Sequence, residues 1–265
     1  MVVLLLIPGS NSSKGHSMIN ETLAKIGLTS KEAVLADIMR YEQSIGDVSE
    51  EEFNRLHPDN IDSGEFWEEC IKINPLAVCG DKRVLGGSID DIKKVNYLFT
   101  LCNGVNNQYN ATKYTTNKRL RILEIGPGYG QMKQVYESMD NEYEAIDVNP
   151  LVEGVIKTDG KSIPDKEYDF IVSSNVFQHL SINQRKSYYK DIKKGLKPGG
   201  KFSFTSVIGG EAKRRYNGRA VMYNTGQFTE LQTLDETFGD LQEVGLRLIS
   251  YNVSPVCSTI HTINM

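Results

Sequence analysis

Residues 123–130 read LEIGPGYG: Gly126, Gly128 and Gly130 alternate with other residues directly after an apolar run, and Glu124 stands two places before the first glycine. Glycine at that spacing lets a backbone turn tightly and come close to a ligand. A dinucleotide fingerprint would need its last glycine at position 131, which is Gln, and the Gly-Lys-Ser/Thr of a phosphate-binding loop is missing. An acidic residue beside the turn suits a cation better than a pyrophosphate. The ligand expected is a nucleoside carrying positive charge. A second chemistry-bearing stretch, GGEAKRRYNGRAVMYN at 209–224, gathers Lys213, Arg214, Arg215, Tyr216, Arg219 and Tyr223. Arginines with interleaved tyrosines suit a phosphate, carboxylate or sugar-nucleotide group, or RNA. A solvated basic loop is the competing reading.

These residues need elements to hold them. From Arg119 onward the runs LRILEIG, YEAIDVN, GVIKTD, YDFIVSSN and KFSFTSV alternate with helical or polar segments. That is the pattern of βα units building a parallel sheet. LRLISYNV and STIHTINM are separated only by a turn containing Pro255, so they read as an antiparallel hairpin closing the sheet. The glycine loop then falls at the carboxyl edge, where doubly wound folds bind ligands. The front of the chain reads differently. A short strand is expected at 2–8 and helices at 18–27, 30–41 and 88–103, with a capping box at Ser49–Glu52 and a short helix holding Phe66 and Trp67. The polar stretch 105–118 marks the expected boundary between a mainly helical unit, 1–116, and a second domain, 117–265.

Composition narrows the partners. The 265 residues carry a net charge of −4, so no global basic field favours nucleic acid. Residues 1–116 hold 11 Lys and Arg against 16 Asp and Glu, and the remainder 19 against 18. An acidic front and a neutral back fit two units. No run approaches the roughly 18 apolar residues of a membrane helix, and MVVLLLIPG lacks the basic start of a signal peptide. Cys70, Cys79, Cys102 and Cys257 show no paired spacing, so no metal is expected, and a cytoplasmic protein with reduced thiols is the reading.

LEIGPGYG, YEAIDVN, KTDGKSIP, EYDFIVSSNVFQHL and LKPGGKFSFTSV arrive in one order, and with them the sequence resembles the class I S-adenosylmethionine-dependent methyltransferases over residues 117–265. The resemblance implies a Rossmann-like doubly wound α/β fold whose seven-stranded sheet has an antiparallel last strand. It implies S-adenosylmethionine as cofactor, with Glu124, Gly126, Gly128 and Gly130 in the loop beside its methionine part. Asp147, followed by Val148, takes the place of the acidic residue that accepts both ribose hydroxyls, since a carboxylate matches a vicinal diol. Asp159 is expected at the adenine amine, with Gly160 near the base.

The acceptor is less determined. Asn175-Val176-Phe177-Gln178 lacks the prolines of DNA amino-methylating enzymes and the Pro-Cys of cytosine-C5 enzymes. Asn175 and His179 are four apart across the expected start of a helix and could share a face toward the methyl group. A matching histidine is catalytic in relatives that methylate phosphobases, and a merely structural histidine is the other reading. The basic stretch falls in the family's substrate-facing loop, which makes Arg214, Arg215, Tyr216 and Arg219 the candidates for acceptor binding. A small sugar-like or anionic acceptor, methylated on oxygen, is expected. A methyltransferase acting on RNA or protein and a non-catalytic cofactor-binding protein are the alternatives. The front unit is expected to cap the cleft or to form a homodimer contact.

Overall fold

The structure, a computed structural model, describes residues 46–73, 119–138, 140–208, 214–224, 227–252 and 258–265. The strand expected at 2–8, the helices at 18–27, 30–41 and 88–103, the boundary stretch and Lys213, Cys79, Cys102 and Cys257 lie outside them.

The apolar runs form the strands they promised. β2 (Arg121–Ile125), β3 (Glu142–Asp147), β4 (Ile156–Lys157), β5 (Tyr168–Ser173) and β6 (Leu196–Ser206) pair in parallel, and β10 (Leu246–Asn252) and β11 (Ser258–Asn264) complete a seven-stranded sheet. Its order is β10-β11-β6-β5-β2-β3-β4. β11 is antiparallel to both neighbours, as expected of the last strand. The hairpin does not simply extend the edge, however. β10 goes to the edge first, and β11 returns into the slot beside β6.

Both faces of the sheet are covered, so a strand such as Tyr-Asp-Phe-Ile-Val-Ser is apolar nearly throughout. Alternation sends Leu123 and Ile125 to one face, where they join Ile171, Phe204, Ile192, Tyr189 and Leu241. Ile122 goes to the other face with Phe170, Val172, Met132 and Tyr136. Among the described residues three helices supply the layers: α3 (Gln131–Ser138), α4 (Ile182–Gly195) and α5 (Leu234–Glu243). Complete capping boxes start α4, through Ser181 and Gln184, and α5, through Thr233 and Glu236. Phe177 sits at the centre of the larger layer, 4.9 Å from Phe204 and stacked 5.7 Å from Tyr189.

A second, smaller sheet is the finding that the sequence reading missed. β1 (Gly46–Asp47), β7 (Arg214–Tyr216), β8 (Arg219–Asn224) and β9 (Gln227–Glu230) form it in that order. The stretch read as a basic loop is thus a hairpin turning at Asn217 and Gly218, with φ of 47° and 76°. Asn-Gly between two short strands is the strongest local signal for such a turn. β1 pairs in parallel with β7, which stitches the front segment onto the back of the chain. Behind it follow α1 (Glu50–Leu56), capped by Ser49 as expected, a 3-10 turn (Pro58–Asn60) and α2 (Ser63–Ile73), which carries Phe66 and Trp67. Val48, Phe53, Val221 and Phe228 make a small core between α1 and this sheet.

Arg185 of α4 holds the pieces together. Its side chain is buried, and it donates to the Leu180 carbonyl at 3.0 Å, to Gln232 Oε1 at 3.0 Å and to the Glu230 carbonyl at 2.7 Å. Arg185→Leu leaves those acceptors without a donor, and the loss of hydrogen bonds to a charged group should cost roughly 3 kcal/mol or more. Thermal unfolding should show a Tm lower by roughly 6–12 °C. Arg185→Lys should recover little, because one ammonium cannot reproduce the planar fork. An unchanged Tm in Arg185→Leu would refute this role.

Candidate active site

The glycine loop leaves β2 at the carboxyl edge of the sheet and enters α3. Gly126 donates its N–H to the Ile146 carbonyl, and Gly130 donates to Pro127, which closes the turn. Gly126 has φ of 72°, and a Cβ there would stand 2.2 Å from Val176 Cγ2. Only glycine fits. Gly160 repeats the pattern beside β4, with φ of 75° and a Cβ position 2.8 Å from Val148 Cγ1.

Asp147 ends β3 next to the loop. Its Oδ1 accepts from the Asn149 N–H at 2.9 Å, and the backbone amides of Gly128 and Val148 also bond the carboxylate. Burial raises its pKa against the pull of those amides. Glu124 is deeper, only 2% exposed, and its Oε2 accepts from the Tyr143 hydroxyl at 2.5 Å. Burial pushes the Glu124 carboxyl up to about 7; the Tyr143 bond opposes that shift and the nearby Asp147 charge adds to it. Asp159 is exposed and folded into a local turn, accepting from the Lys161 N–H at 3.0 Å.

A cleft of about 790 Å³ lies between this edge and the front segment. Val148 and Asp159 line it from the sheet side, and Asp59, Gly64 and Glu68 line it from the 3-10 turn and α2. The front segment is fastened there. The Ser181 hydroxyl donates to Asp59 Oδ1 at 2.6 Å, Gln184 Nε2 donates to the Pro58 carbonyl at 3.3 Å, and a Cβ on Gly64 would sit 3.3 Å from the Val148 carbonyl.

Asn175 and His179 do not share a helix face. Asn175 follows β5 with φ of 60°, held by its N–H bond to Thr205 Oγ1 at 2.6 Å. Phe177–His179 is a separate 3-10 turn, and the helix begins only at Ile182. The reason is local: Ser181-Ile-Asn-Gln is a better helix start than anything before it. The Trp67 and His179 rings meet in a T-shaped pair with centroids 5.0 Å apart. Burial lowers the His179 pKa to about 4, so the imidazole is neutral at pH 7.

The candidates for acceptor binding lie on the small sheet. Tyr216 stacks on Phe53 at 4.0 Å, Arg215 donates to the Gly218 carbonyl at 3.0 Å, and Arg219, more than half exposed, is 4.0 Å from Glu230. Arg214 pairs in register with Gly46 and Val221. Arg215, Tyr216 and Arg219 do not line the cleft. The cleft-lining residues of the front segment that the sequence reading gave no role include Asp59, Gly64 and Glu68. Their signals were a His-Pro-Asp-Asn turn directly before a helix carrying the only tryptophan. Among the described residues no cluster of His, Cys, Asp and Glu could hold a metal, and no helix is long and apolar enough to cross a membrane.

The neutral His179 makes stability depend on pH. Unfolded, the ring titrates near 6.5; folded, near 4. The unfolded chain therefore binds the extra proton between those values, and stability present above pH 6.5 is lost as pH falls toward 4. His179→Phe should reduce the pH 7-to-4.5 difference in unfolding free energy by roughly 1–3 kcal/mol. Urea melts at the two pH values measure it, and an identical difference in both proteins would contradict the neutral ring.

The family model described as a methyltransferase domain matches residues 99–251. No curated protein matches the chain in sequence. Among solved structures, the chain is similar in fold to the 1,6-didemethyltoxoflavin N1-methyltransferase of Burkholderia thailandensis, solved with bound 1,6-didemethyltoxoflavin and S-adenosylhomocysteine. The TM-score is 0.53 at 10% identity, over 77% of this chain and 92% of that one. An S-adenosylmethionine-dependent methyltransferase from Mesorhizobium loti aligns with a TM-score of 0.45 at 14% identity, over 59% of this chain and 97% of that one. With a family match spanning more than half its length, on a sheet of this order and beside a glycine loop of this form, the chain belongs to the class I S-adenosylmethionine-dependent methyltransferases.

Proposed function

We propose that the chain methylates a small polar acceptor held between the front segment and the carboxyl edge of the large sheet. The cleft of about 790 Å³ carries this reading, because its walls come at once from the nucleotide side and from the front segment. That volume lies within the range of small-molecule sites. The division into a front unit, 1–116, and a methyltransferase domain, 117–265, is part of the proposal. The fastening of Pro58 and Asp59 to Ser181 and Gln184 supports a cap over a dimer contact as the role of the front unit.

The residues present fit a positively charged nucleoside. Gly160 packs within contact of Val148 beside the cleft that Val148 lines, and Asp147 stands beside the loop as a carboxylate already oriented by three amides. In this reading Gly126, Gly128 and Gly130 bring backbone close to the methionine part, Asp147 accepts from the ribose diol, and Val148, Asp159 and Gly160 meet the adenine. The bound cofactor supplies an electrophilic methyl group. The chain has then to align a nucleophile in line with it and, for a hydroxyl, to take up a proton.

Oxygen transfer to a sugar-like or anionic acceptor is the first reading; Arg215 and Arg219, which stand on the small sheet and do not line the cleft, have no part in it. A nitrogen acceptor is favoured by a specific observation. A ring whose pKa is about 4 is a weak base at neutral pH, and an amine that arrives neutral needs none. Asn175, exposed at the end of β5, is the proposed positioning residue at the methyl group.

Labelled methyl from S-adenosylmethionine should pass to the small-molecule fraction of a cell extract and leave RNA and protein unlabelled. Transfer confined to either macromolecule would defeat the proposal. Calorimetry should show S-adenosylhomocysteine binding weakened roughly 10- to 100-fold in Asp147→Ala, the loss of one charge-assisted bond or more. Full affinity in a folded variant would move the ribose site elsewhere. For the base, His179→Asn should leave the saturated rate within roughly threefold for a nitrogen acceptor and lower it roughly 10²–10⁴-fold for a hydroxyl that depends on the ring.

A further inference from the structure

Among the described residues Glu124 is the only carboxylic acid that is buried. Its place in the sheet says what surrounds it. Glu124 lies opposite Ala145 of β3 and Val172 of β5. Side chains alternate along a strand, so Tyr143 and Asp147 flank Ala145 on the same face as Glu124. The β5 side brings Val172 and Phe170, and α3 brings Met132 and Tyr136, all members of one apolar layer. The titratable groups that reach Glu124 are Tyr143, whose hydroxyl donates to Oε2 at 2.5 Å, and Asp147. Tyr136, stacked on Tyr143 with ring centroids 6.0 Å apart, and Glu137 act on the Tyr143 hydroxyl instead. Among the described residues no cation faces Glu124.

The two carboxyls are furnished differently. Asp147 accepts from three backbone amides, those of Asn149, Gly128 and Val148, which is how a protein holds an anion. Glu124 accepts from one hydroxyl. A carboxylate stripped of water in an apolar layer, with one donor and a second carboxylate nearby, is disfavoured as an ion. Environments this unlike let one member of a pair carry charge while the other keeps a proton. The carboxyl of Glu124, pushed up to about 7, agrees with that geometry. What could remove the proton comes from the next stretch of chain. Glu124 stands two residues ahead of Gly126, on the strand that leads into the glycine loop. A cation held at that loop favours the ionised form.

We propose that Glu124 is protonated in the free protein and gives up that proton when the positively charged cofactor binds, so that cofactor affinity rises with pH. The O–H bond of the carboxyl breaks, its proton passes to solvent, and the Tyr143 hydroxyl goes on donating to the carboxylate that remains. The empty site is thereby spared a buried charge, and the charge appears only when a cation is there to match it. This rests on the placement of the methionine part at Gly126, Gly128 and Gly130 given above.

Two measurements on the full chain and on Glu124→Gln test it. Glutamine keeps the size and an oxygen for Tyr143, and it does not titrate. The first uses no cofactor. Folded, the carboxyl keeps its proton up to about pH 7; unfolded, it loses it near 4.5. Stability that the wild type has below pH 4.5 is therefore lost as pH rises through 7, and the variant escapes that loss. The Tm of Glu124→Gln relative to wild type should rise by roughly 5–10 °C between pH 5 and pH 8. A difference in Tm that stays constant with pH, as a merely structural substitution gives, overturns the proposal. The second is calorimetry with S-adenosylmethionine. The cofactor's own ammonium titrates alike in both proteins, so their difference isolates Glu124. In two buffers of unlike ionisation enthalpy at pH 7, the wild type should release roughly half a proton more than the variant. Its Kd should tighten roughly tenfold more between pH 6 and pH 8. Tyr143→Phe removes the donor that favours the ion and should move the midpoint of this dependence up by roughly a pH unit; an unmoved midpoint assigns the proton elsewhere and overturns the proposal. Equal proton release in wild type and Glu124→Gln overturns the coupling and leaves the cofactor reading standing, because both still bind. No binding by either protein at any pH overturns the cofactor reading and the coupling with it, whatever the melts show.

Discussion

One guanidinium organises the carboxyl edge of this molecule. Arg185 stands in the first turn of α4, and its planar fork reaches three oxygens from three directions: the end of the 177–179 turn, the last residue of β9 and the segment leading to α5. A sheet covered on both faces leaves only its edge for a ligand. The edge must therefore be built from loops, and loops have few apolar contacts with which to hold a shape. A buried cation with three fixed acceptors replaces those contacts. Its burial is costly, lowering the guanidinium's own pKa, and the Glu230 and Asp240 charges nearby offset part of that cost. The capping box of Ser181 and Gln184, one turn earlier, extends the same knot to the front segment through Asp59 and Pro58.

Much of the large sheet was legible because its strands announce themselves. Runs such as YDFIVS are apolar on both faces, and the glycines after LEI have no other use at that spacing. The small sheet was not legible for physical reasons. β1 has two residues, β7 three, and their pairing joins positions far apart in the chain, so neither periodicity nor proximity marks it. Asn217-Gly218 was a readable signal that the surrounding charge obscured. The basic residues drew a reading of function where the local geometry was first that of a hairpin.

The site divides the same way. Asp147 stands where its place in the sequence put it, beside the loop and oriented by backbone amides. Asn175 and His179 were linked by counting four residues along a helix that starts only at Ile182, after a left-handed residue and a 3-10 turn have already turned the chain. Counting cannot show that. Burial is equally invisible in one dimension: Glu124 was read as a partner for a cation, and it is packed against Tyr143 with its carboxyl pushed up to about 7.

The close approach of Gly126 to Val176 has a consequence for how the edge behaves as a machine. With no room for even a methyl group between them, the loop ahead of α3 and the turn that carries Asn175 to His179 are two sides of a single wall. Phe177, next in the chain, is wedged among Phe202, Phe204 and Tyr189, so the wall cannot retreat into the core. A displacement on either side has nowhere to go but across.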